Sequence, residues 1–391
     1  MESPWVDDLP DAASSAARLR PHAAASARAE PAAARLESVQ ALRAAAALAV
    51  VCWHLVWVVR AFPGALPALP RALAFGYAGV DLFFVISGYV ICHITHSRPF
   101  SLARFAARRW LRIAPLYALF TALAVLAAWL RPDWGGEKLD LAYVLHSLSL
   151  LPMRELPFLD VGWSLEHEIL FYALAGALLA AGRGRWLPHA LAALFAAGVV
   201  VHGLLPEWTG RRPFDAHVFS LYHFEFLVGV LLFRARHALP ARSWRIPLVA
   251  GALGLLAVSS WVAAHSLRPD GSWHVATQPN GLAGVVRVLG YGLCAGLLLR
   301  GLLVAEQSGA FARAPRALRD LLLRIGDASY VLYLSHFFVY SILAKLYAGL
   351  AAPAWLAAPA LAGALAAALA FAFAVHVALE RPLLRAIHAR V

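Results

Sequence analysis

The sequence predicts an all-α polytopic membrane protein, with about ten transmembrane helices and one short re-entrant or interfacial helix. Three observations lead to this class. Of the 391 residues 61% are hydrophobic, only 14% are charged, and the apolar residues are concentrated in long runs. Soluble domains are about half apolar and about a quarter charged, which excludes a soluble enzyme and a disordered protein. Transmembrane β-strands are excluded as well, because these runs are continuous rather than alternating.

The predicted helices follow one another along most of the chain, and each is long enough to cross the hydrocarbon core of a bilayer. The predicted spans are 38–59, 76–95, 112–130, 162–182, 187–205, 217–234, 246–266, 282–304, 328–349 and 355–379. The shorter apolar run at 140–152 cannot cross unaided, so we expect it to be re-entrant or interfacial.

The parts of the chain outside these helices are small. Residues 1–37 carry several acidic residues and lack the apolar stretch of a signal peptide, so we expect a disordered cytoplasmic leader. The membrane domain is predicted to cover residues 38–385, and residues 386–391 a cytoplasmic tail. The cysteines Cys52, Cys92 and Cys294 all fall in apolar runs, where they form neither a disulfide framework nor a zinc-ligand pattern. No metal site is predicted.

The charge balance orients the predicted helices. The chain has 34 Lys and Arg residues against 22 Asp and Glu residues, a formal net charge of +12. In a soluble protein this excess would suggest nucleic acid, but in a membrane protein basic loops mark the cytoplasmic side. Most of the loop arginines fall on one side when the N-terminus is inside and 140–152 does not cross. We therefore expect a bacterial inner-membrane protein with both termini in the cytoplasm and no nucleic-acid partner.

Ionisable residues inside predicted spans are functional candidates, because they are costly in lipid. The first span carries Arg43 and His54. Eleven residues turn a helix by about 1100°, so both side chains project from one face, about 16 Å apart along the axis. One interpretation is a snorkelling arginine and a hydrogen-bonded core histidine. The other is two parts of an active site.

The next two spans add further candidates. In GVDLFFVISGY, at 79–89, Asp81 lies in an apolar stretch and needs a partner, for which we expect Arg43. Ser87 follows on the same span, and the glycines Gly79 and Gly88 permit close helix packing. Four arginines lead into the third span, the last of them as its first residue: Arg104, Arg108, Arg109 and Arg112. They are either an anchor on lipid headgroups or a clamp for the phosphates of a nucleotide-like ligand.

Later spans contain acids, tyrosines and histidines at similar depth. WSLEHEILFY, at 163–172, holds Glu166 and Glu168, and we expect one of them to face a cavity. SYVLYLSH, at 329–336, places Tyr330 and His336 in a helix. Hydrogen bonding within the helix bundle is the alternative interpretation for SYVLYLSH, and also for Glu380 in ERPLLR, which closes the last span.

In this order the motifs resemble the integral-membrane acyltransferase-3 family, which includes O-antigen acetylases and nodulation-factor acylating enzymes. The resemblance rests on Arg43-(ten residues)-His54, GVDLFFVISGY, RRWLRIAPLY at 108–117, WSLEHEILFY, SYVLYLSH and the sequence ERP at 380–382. It covers residues 36 to 385. Many members carry an additional hydrolase-like domain after the last span, and we expect the membrane domain alone here.

The resemblance implies transfer of an acyl group, commonly acetyl from acetyl-CoA, to a hydroxyl of a carbohydrate or glycoconjugate. The acyl-CoA is a substrate, and no permanently bound cofactor is expected. The family's histidine maps onto His54, its arginine onto Arg43 and its acid onto Glu168. We assign these residues and Ser87 to catalysis. The predicted substrate-binding residues are Asp81, Arg108, Arg109, Arg112, Tyr117, Tyr330 and His336.

The residue chemistry agrees with this assignment. A base must take the hydroxyl proton, and histidine titrates closest to working pH. Donors must face the developing oxyanion, for which Arg43 or Ser87 is suited. His54 acts either as this base or as a transient acyl carrier. A transporter or flippase, in which the same residues form a relay, is the alternative function.

Overall fold

In a computed structural model of the protein, the residues described are 36–59, 61–62, 74–96, 99–131, 139–153, 155–205, 217–237, 243–266, 281–350 and 353–390. Within these ranges the regular secondary structure is helical, without a β-strand. This confirms the predicted all-α class. The predicted leader at 1–37 lies outside the described residues except for its last two positions.

Thirteen α-helices make up this part of the chain. In chain order they are α1 Glu37–Val59, α2 Gly79–His96, α3 Leu102–Leu130, α4 Leu141–Ser149, α5 Trp163–Ala180, α6 Leu187–Gly198, α7 His223–Arg234, α8 Arg245–Ser266, α9 Gly281–Gln307, α10 Arg316–Asp327, α11 Ser329–Gly349, α12 Ala357–Val375 and α13 Arg381–Arg390. Helix α6 continues as a π-helical turn over Val199–Leu204, and a second π-helical turn, His376–Glu380, joins α12 to α13.

Eight helical segments in the described ranges are long and apolar enough to cross a membrane. They coincide with eight of the predicted spans, which confirms a polytopic membrane protein. The predicted spans 162–182 and 217–234 form α5 and α7, which are not both long and apolar enough to be counted among these eight segments. Two glutamates lower the apolar character of α5. The 12 residues of α7 rise only about 18 Å, because the chain turns before His223.

The third span begins earlier than the sequence predicted. Helix α3 starts at Leu102 rather than at 112, with the Ser101 side chain accepting a hydrogen bond from the Arg104 backbone N–H. The arginine-rich segment is therefore helical, since arginine is a good helix former and serine a good N-cap. As a result all four arginines occupy the first three turns of this helix, whereas only Arg112 fell within the predicted span.

The short apolar run forms α4, whose nine residues rise about 14 Å, too little to cross a bilayer. Asp140 caps its N-terminus by accepting from the Tyr143 backbone N–H at 2.9 Å, and Leu150 ends it in the left-handed region, with φ 54°. The predicted short helix is therefore confirmed. Two amphipathic helices, α10 and α13, were not predicted, because their alternating arginines and leucines do not form an apolar run.

Helix α1 lies at the centre of the bundle, packed against α2, α9, α10, α11 and α12. Its alanines allow this: Ala46 is fully buried, and a Cβ added at Gly79 would lie 2.3 Å from the Ala46 carbonyl oxygen. A Cβ at Gly88 would lie 2.2 Å from the Phe226 carbonyl oxygen of α7. These contacts confirm the close packing predicted for both glycines, and they place the polar residues of α1 in the interior.

Candidate active site

A cavity of about 280 Å³ opens between α2, α3, α5 and α11, with one residue of α1 in its wall. Its polar lining residues are Arg43, Ser87, Arg109, Arg112, Ser164, Glu168, Tyr172, Ser329, Tyr330 and Tyr333. Its apolar lining includes Val80, Phe83, Ile91, Ile94 and Leu165. The cavity therefore combines an apolar wall with a few convergent polar groups, as small-molecule sites do.

Glu168 is the carboxylate of this cavity. Ser87 donates a hydrogen bond to its Oε1 at 2.7 Å, and the Tyr172 hydroxyl donates a short hydrogen bond to the same oxygen. The guanidinium carbon of Arg109 lies 5.8 Å from the centroid of the Tyr172 ring. Tyr172 is four residues after Glu168, so both project from one face of α5. These contacts hold the carboxylate in a single orientation.

The arginines give the cavity a positive charge. Arg43, Arg109 and Arg112 line it, and Glu168 is the acidic residue among its lining residues. The charge of Arg43 interacts with those of Arg112, Glu380 and Glu168. Glu380 is itself bonded to His376, whose Nδ1 lies 2.5 Å from Glu380 Oε2. Arginine forks at low dielectric attract anions, above all phosphate and carboxylate groups.

The two glutamates of α5 face different surroundings. Residues two apart on a helix are rotated by about 200°, so only one of them can face the cavity. Glu166 points away: His217 Nε2 lies 2.6 Å from its Oε2, and the Met153 backbone N–H donates to the same oxygen at 3.4 Å. The structure thus places Glu168 rather than Glu166 at the cavity.

His54 lies beyond the cavity, paired with His336 of α11. Nδ1 of His54 lies 3.1 Å from Nε2 of His336 and 3.0 Å from the Val50 carbonyl oxygen. Nδ1 of His336 lies 2.9 Å from the Leu332 carbonyl oxygen. A carbonyl only accepts, so each Nδ1 carries the proton in this bonding pattern and Nε2 of His336 accepts from His54. The lone pair of His54 is then on Nε2.

The expected pairing of Asp81 with Arg43 is wrong. Asp81 instead bonds Arg287 of α9, whose Nη2 lies 3.0 Å from Oδ1 and 3.1 Å from Oδ2. Glu225 of α7 interacts with both groups, and all three side chains are fully buried. Three tyrosine rings surround the guanidinium carbon, Tyr77 at 4.6 Å, Tyr291 at 5.1 Å and Tyr222 at 5.5 Å. Arg43 instead lines the cavity together with Glu168, and the charges of these two residues interact.

The structure brings most of the predicted site residues together, and leaves three apart. Arg43, Ser87, Arg109, Arg112, Glu168 and Tyr330 line the cavity, and His54 and His336 pair close to it. Asp81, Arg108 and Tyr117 are not among the lining residues. Tyr117 instead bonds the Ser147 side chain at 3.1 Å, and a Cβ added at Gly162 would lie 2.6 Å from its ring.

Four polar lining residues were missed, although all lie in motifs that the sequence singled out: Ser164, Tyr172, Ser329 and Tyr333. Tyr172 is four residues after Glu168, and Tyr333 is three residues after Tyr330, so helical spacing alone could have assigned both. Arg287 was recognisable as a basic residue within a span but had no predicted partner. In the described ranges no group of three or more His, Cys, Asp or Glu residues is placed to hold a metal ion.

The helical bundle defines a polytopic integral membrane protein, and the cavity inside it is lined by three arginines and one glutamate. The chain belongs to the acyltransferase-3 family: the family described as an acyltransferase domain matches residues 36–377. This confirms the resemblance seen in the motifs, and it makes the protein a membrane acyltransferase.

Two relatives illustrate the similarity. The exopolysaccharide production protein ExoZ of Rhizobium meliloti is 34% identical over 334 residues, which are 81% of this chain and 92% of that protein. The peptidoglycan O-acetyltransferase OatA of Listeria monocytogenes is 27% identical over 162 residues, which are 36% of this chain and 24% of that protein. No solved structure matches this chain.

Proposed function

We propose that this protein transfers an acyl group, acetyl by preference, from acyl-CoA to a hydroxyl of a polysaccharide or other glycoconjugate. The observation that carries the proposal is the geometry of α1. Its Arg43 lines an arginine-rich cavity, and eleven residues further along the helix His54 pairs with His336. The names of ExoZ and OatA support a polysaccharide acceptor.

The donor would bind at the arginine end. Arg43, Arg109 and Arg112 can form charge-assisted, bidentate hydrogen bonds to the phosphate oxygens of CoA. The cavity volume of about 280 Å³ lies below the usual range for drug-sized ligands, so it suits one part of the donor rather than the whole molecule. We expect the thioester end to extend from the arginines along α2 toward His54, with the nucleotide in the cytoplasm.

The reaction needs a base and a stabilised oxyanion. In the direct route, Nε2 of His54 takes the acceptor's hydroxyl proton while the oxygen attacks the thioester carbonyl. The C–S bond then breaks, and the CoA thiolate leaves and takes up that proton. In the two-step route Nε2 attacks the carbonyl itself, the C–S bond breaks and the CoA thiolate leaves. The acceptor hydroxyl then attacks the acyl-histidine, the N–acyl bond breaks, and the hydroxyl proton goes to the CoA thiolate. The hydrogen bond from His54 Nδ1 to His336 orients the ring in either route.

The first test measures labelled acetyl transfer from acetyl-CoA to polysaccharide in membranes carrying the native protein, His54→Ala or His265→Ala. His265 is an exposed histidine of α8, so it controls for loss of an imidazole in general. Because a base contributes about 10²- to 10⁴-fold, we expect a loss of at least about 100-fold for His54→Ala alone. Equal labelling in all three samples would refute the role of His54.

The second test addresses the donor and the alternative of a transporter. Arg109→Ala should raise the KM for acetyl-CoA by about tenfold or more, because a charge-assisted hydrogen bond is lost. The adjacent Arg108, which does not line the cavity, is the matched control. Acetylated product that accumulates outside the cell without any dependence on acyl-CoA would instead favour a transporter.

A further inference from the structure

Helix α3 contains a proline just after its arginine-bearing turns. Pro115 lies inside the helix, three residues after Arg112. Proline has no backbone N–H, so the Leu111 carbonyl receives no hydrogen bond from position 115, and the proline ring crowds that carbonyl. The turn from Leu111 to Pro115 is therefore the weakest of α3. The segment before it, which carries Arg109 and Arg112, is joined to the rest of the helix by one hydrogen bond fewer than in a regular helix.

A hydrogen bond from another helix reaches this weakened turn. Tyr330 of α11 donates its hydroxyl proton to the Ile113 carbonyl oxygen at 2.7 Å. Ile113 directly follows Arg112 in the sequence. Helix α11 packs against α3, and about 9 Å further along its axis it carries His336, which pairs with His54. One helix thus contacts both the arginine end of the cavity and the histidine pair.

The Tyr330 hydroxyl cannot donate to a phosphate while it donates to α3. A tyrosine hydroxyl has one proton, and ionised phosphate oxygens only accept hydrogen bonds. That proton is already given to Ile113, although Tyr330 is half-buried in the cavity wall. Arg109 and Arg112 line the same cavity with guanidinium groups, which only donate. The hydrogen bond of Tyr330 therefore acts on the helix that carries the arginines.

We infer that Tyr330 is a positioning residue for the acyl donor: its bond to Ile113 holds the two arginines of α3 in place across the weakened turn. The part of this inference that concerns the donor rests on the proposed function. Loss of the bond leaves both arginines present but frees the segment that carries them. Donor binding then weakens, while His54 and its partner keep their groups for the chemical step.

The first test measures KM and kcat for acetyl-CoA in Tyr330→Phe. Loss of one neutral hydrogen bond should raise KM by about 2- to 12-fold, with little change in kcat. Tyr291→Phe is the matched control, because the buried Tyr291 hydroxyl donates to Ser259 at 3.1 Å and does not line the cavity. Its KM should equal that of the native protein. An unchanged KM in Tyr330→Phe, whatever its kcat, would overturn the inference.

A double-mutant cycle with Pro115→Ala separates positioning from direct binding of the donor. Alanine returns the N–H that the Leu111 carbonyl lacks and is the best helix former, so α3 should depend less on Tyr330. We therefore expect Tyr330→Phe to raise KM less in the Pro115→Ala background than in the native one. An equal increase, as expected of a direct contact between Tyr330 and the donor, or a larger one would contradict the inference.

Amide hydrogen exchange tests the link between the helices without the reaction. In detergent-purified Tyr330→Phe protein, the amides of residues 102–114 should exchange faster than in the native protein, and Tyr291→Phe should leave them unchanged. Equal exchange in all three proteins, with native acetyl transfer intact, would refute the inference and leave the proposed function standing. If the native protein transfers no acyl group from any acyl-CoA, the proposed function fails, and the role of Tyr330 toward a donor fails with it.

Discussion

Two groups of charged residues lie inside the bundle, and they differ in access. Arg43, Arg109, Arg112 and Glu168 line an open cavity, with more positive than negative charge. Arg287, Asp81 and Glu225 form the second group, which is fully buried among tyrosine rings. Both would be costly in lipid without partners. The first group can still bind a ligand, whereas the second has its partners within the protein.

The comparison shows that charge at membrane depth has two uses. In the buried group the ion pair joins α2 to α9, with α7 packed beside it, and so holds three helices together. In the open group the residues come from three helices, α1, α3 and α5, and their side chains line a cavity. The sequence does not distinguish the two groups, because in both of them each helix contributes only one or two charged residues within an apolar run.

The largest expected effect separates the two groups by stability. Arg287→Met leaves Asp81 and Glu225 buried without a cation, so we expect a loss of about 3–5 kcal/mol in the free energy of unfolding. Arg112→Met, at the open cavity, should cost less than about 1 kcal/mol. Thermal unfolding of the detergent-purified variants measures both. Similar losses would mean that the two groups do not differ in the way described.

A second experiment separates them by activity, using the neighbouring glutamates of α5. Glu168→Gln weakens charge-assisted hydrogen bonds worth about 1.5–3 kcal/mol, so acyl transfer should fall by roughly 10- to 150-fold. Glu166→Gln, which faces His217 away from the cavity, should have a smaller effect on the rate. The reverse order would show that Glu166 rather than Glu168 serves the reaction.

The smallest expected effect tests how Glu168 is held. Ser87→Ala removes one of two hydrogen bonds to Oε1, at a cost of about 1 kcal/mol, so the rate should fall only a few-fold. Tyr172→Phe removes the other bond. In a double-mutant cycle the two changes should be non-additive, because both act on one oxygen. Additive effects would indicate that the two donors position different groups.

Much of the architecture was predictable from the sequence, because apolar runs and the cost of burying backbone groups in lipid leave few alternatives. Eight of the predicted spans coincide with helices that can cross a membrane. The start of α3 was misplaced by ten residues, since an apolar run marks where a helix is in lipid and not where it begins. Helices α10 and α13 were missed because they are amphipathic and contain no long apolar run.

The site was predictable in its residue types and only partly in its contacts. Helical spacing predicted that Arg43 and His54 share one face of α1. In the structure His54 bonds His336 of α11, and Arg43 lines the cavity that Tyr330 of α11 also lines. Spacing could not identify Arg287 as the partner of Asp81. The two residues are separated by 206 positions, and nothing in either span indicates how they are rotated about their axes.

The sequence by itself determined the membrane class, the family and the set of polar residues available for chemistry. Composition and periodicity are properties of each segment alone, and the motifs follow one another along the chain. The tertiary structure decided which charges remain accessible: Glu168 rather than Glu166, Arg109 rather than Arg108, and Arg43 rather than Arg287. The physical reason is that accessibility depends on how neighbouring helices are rotated and packed, which is a property of the assembled bundle.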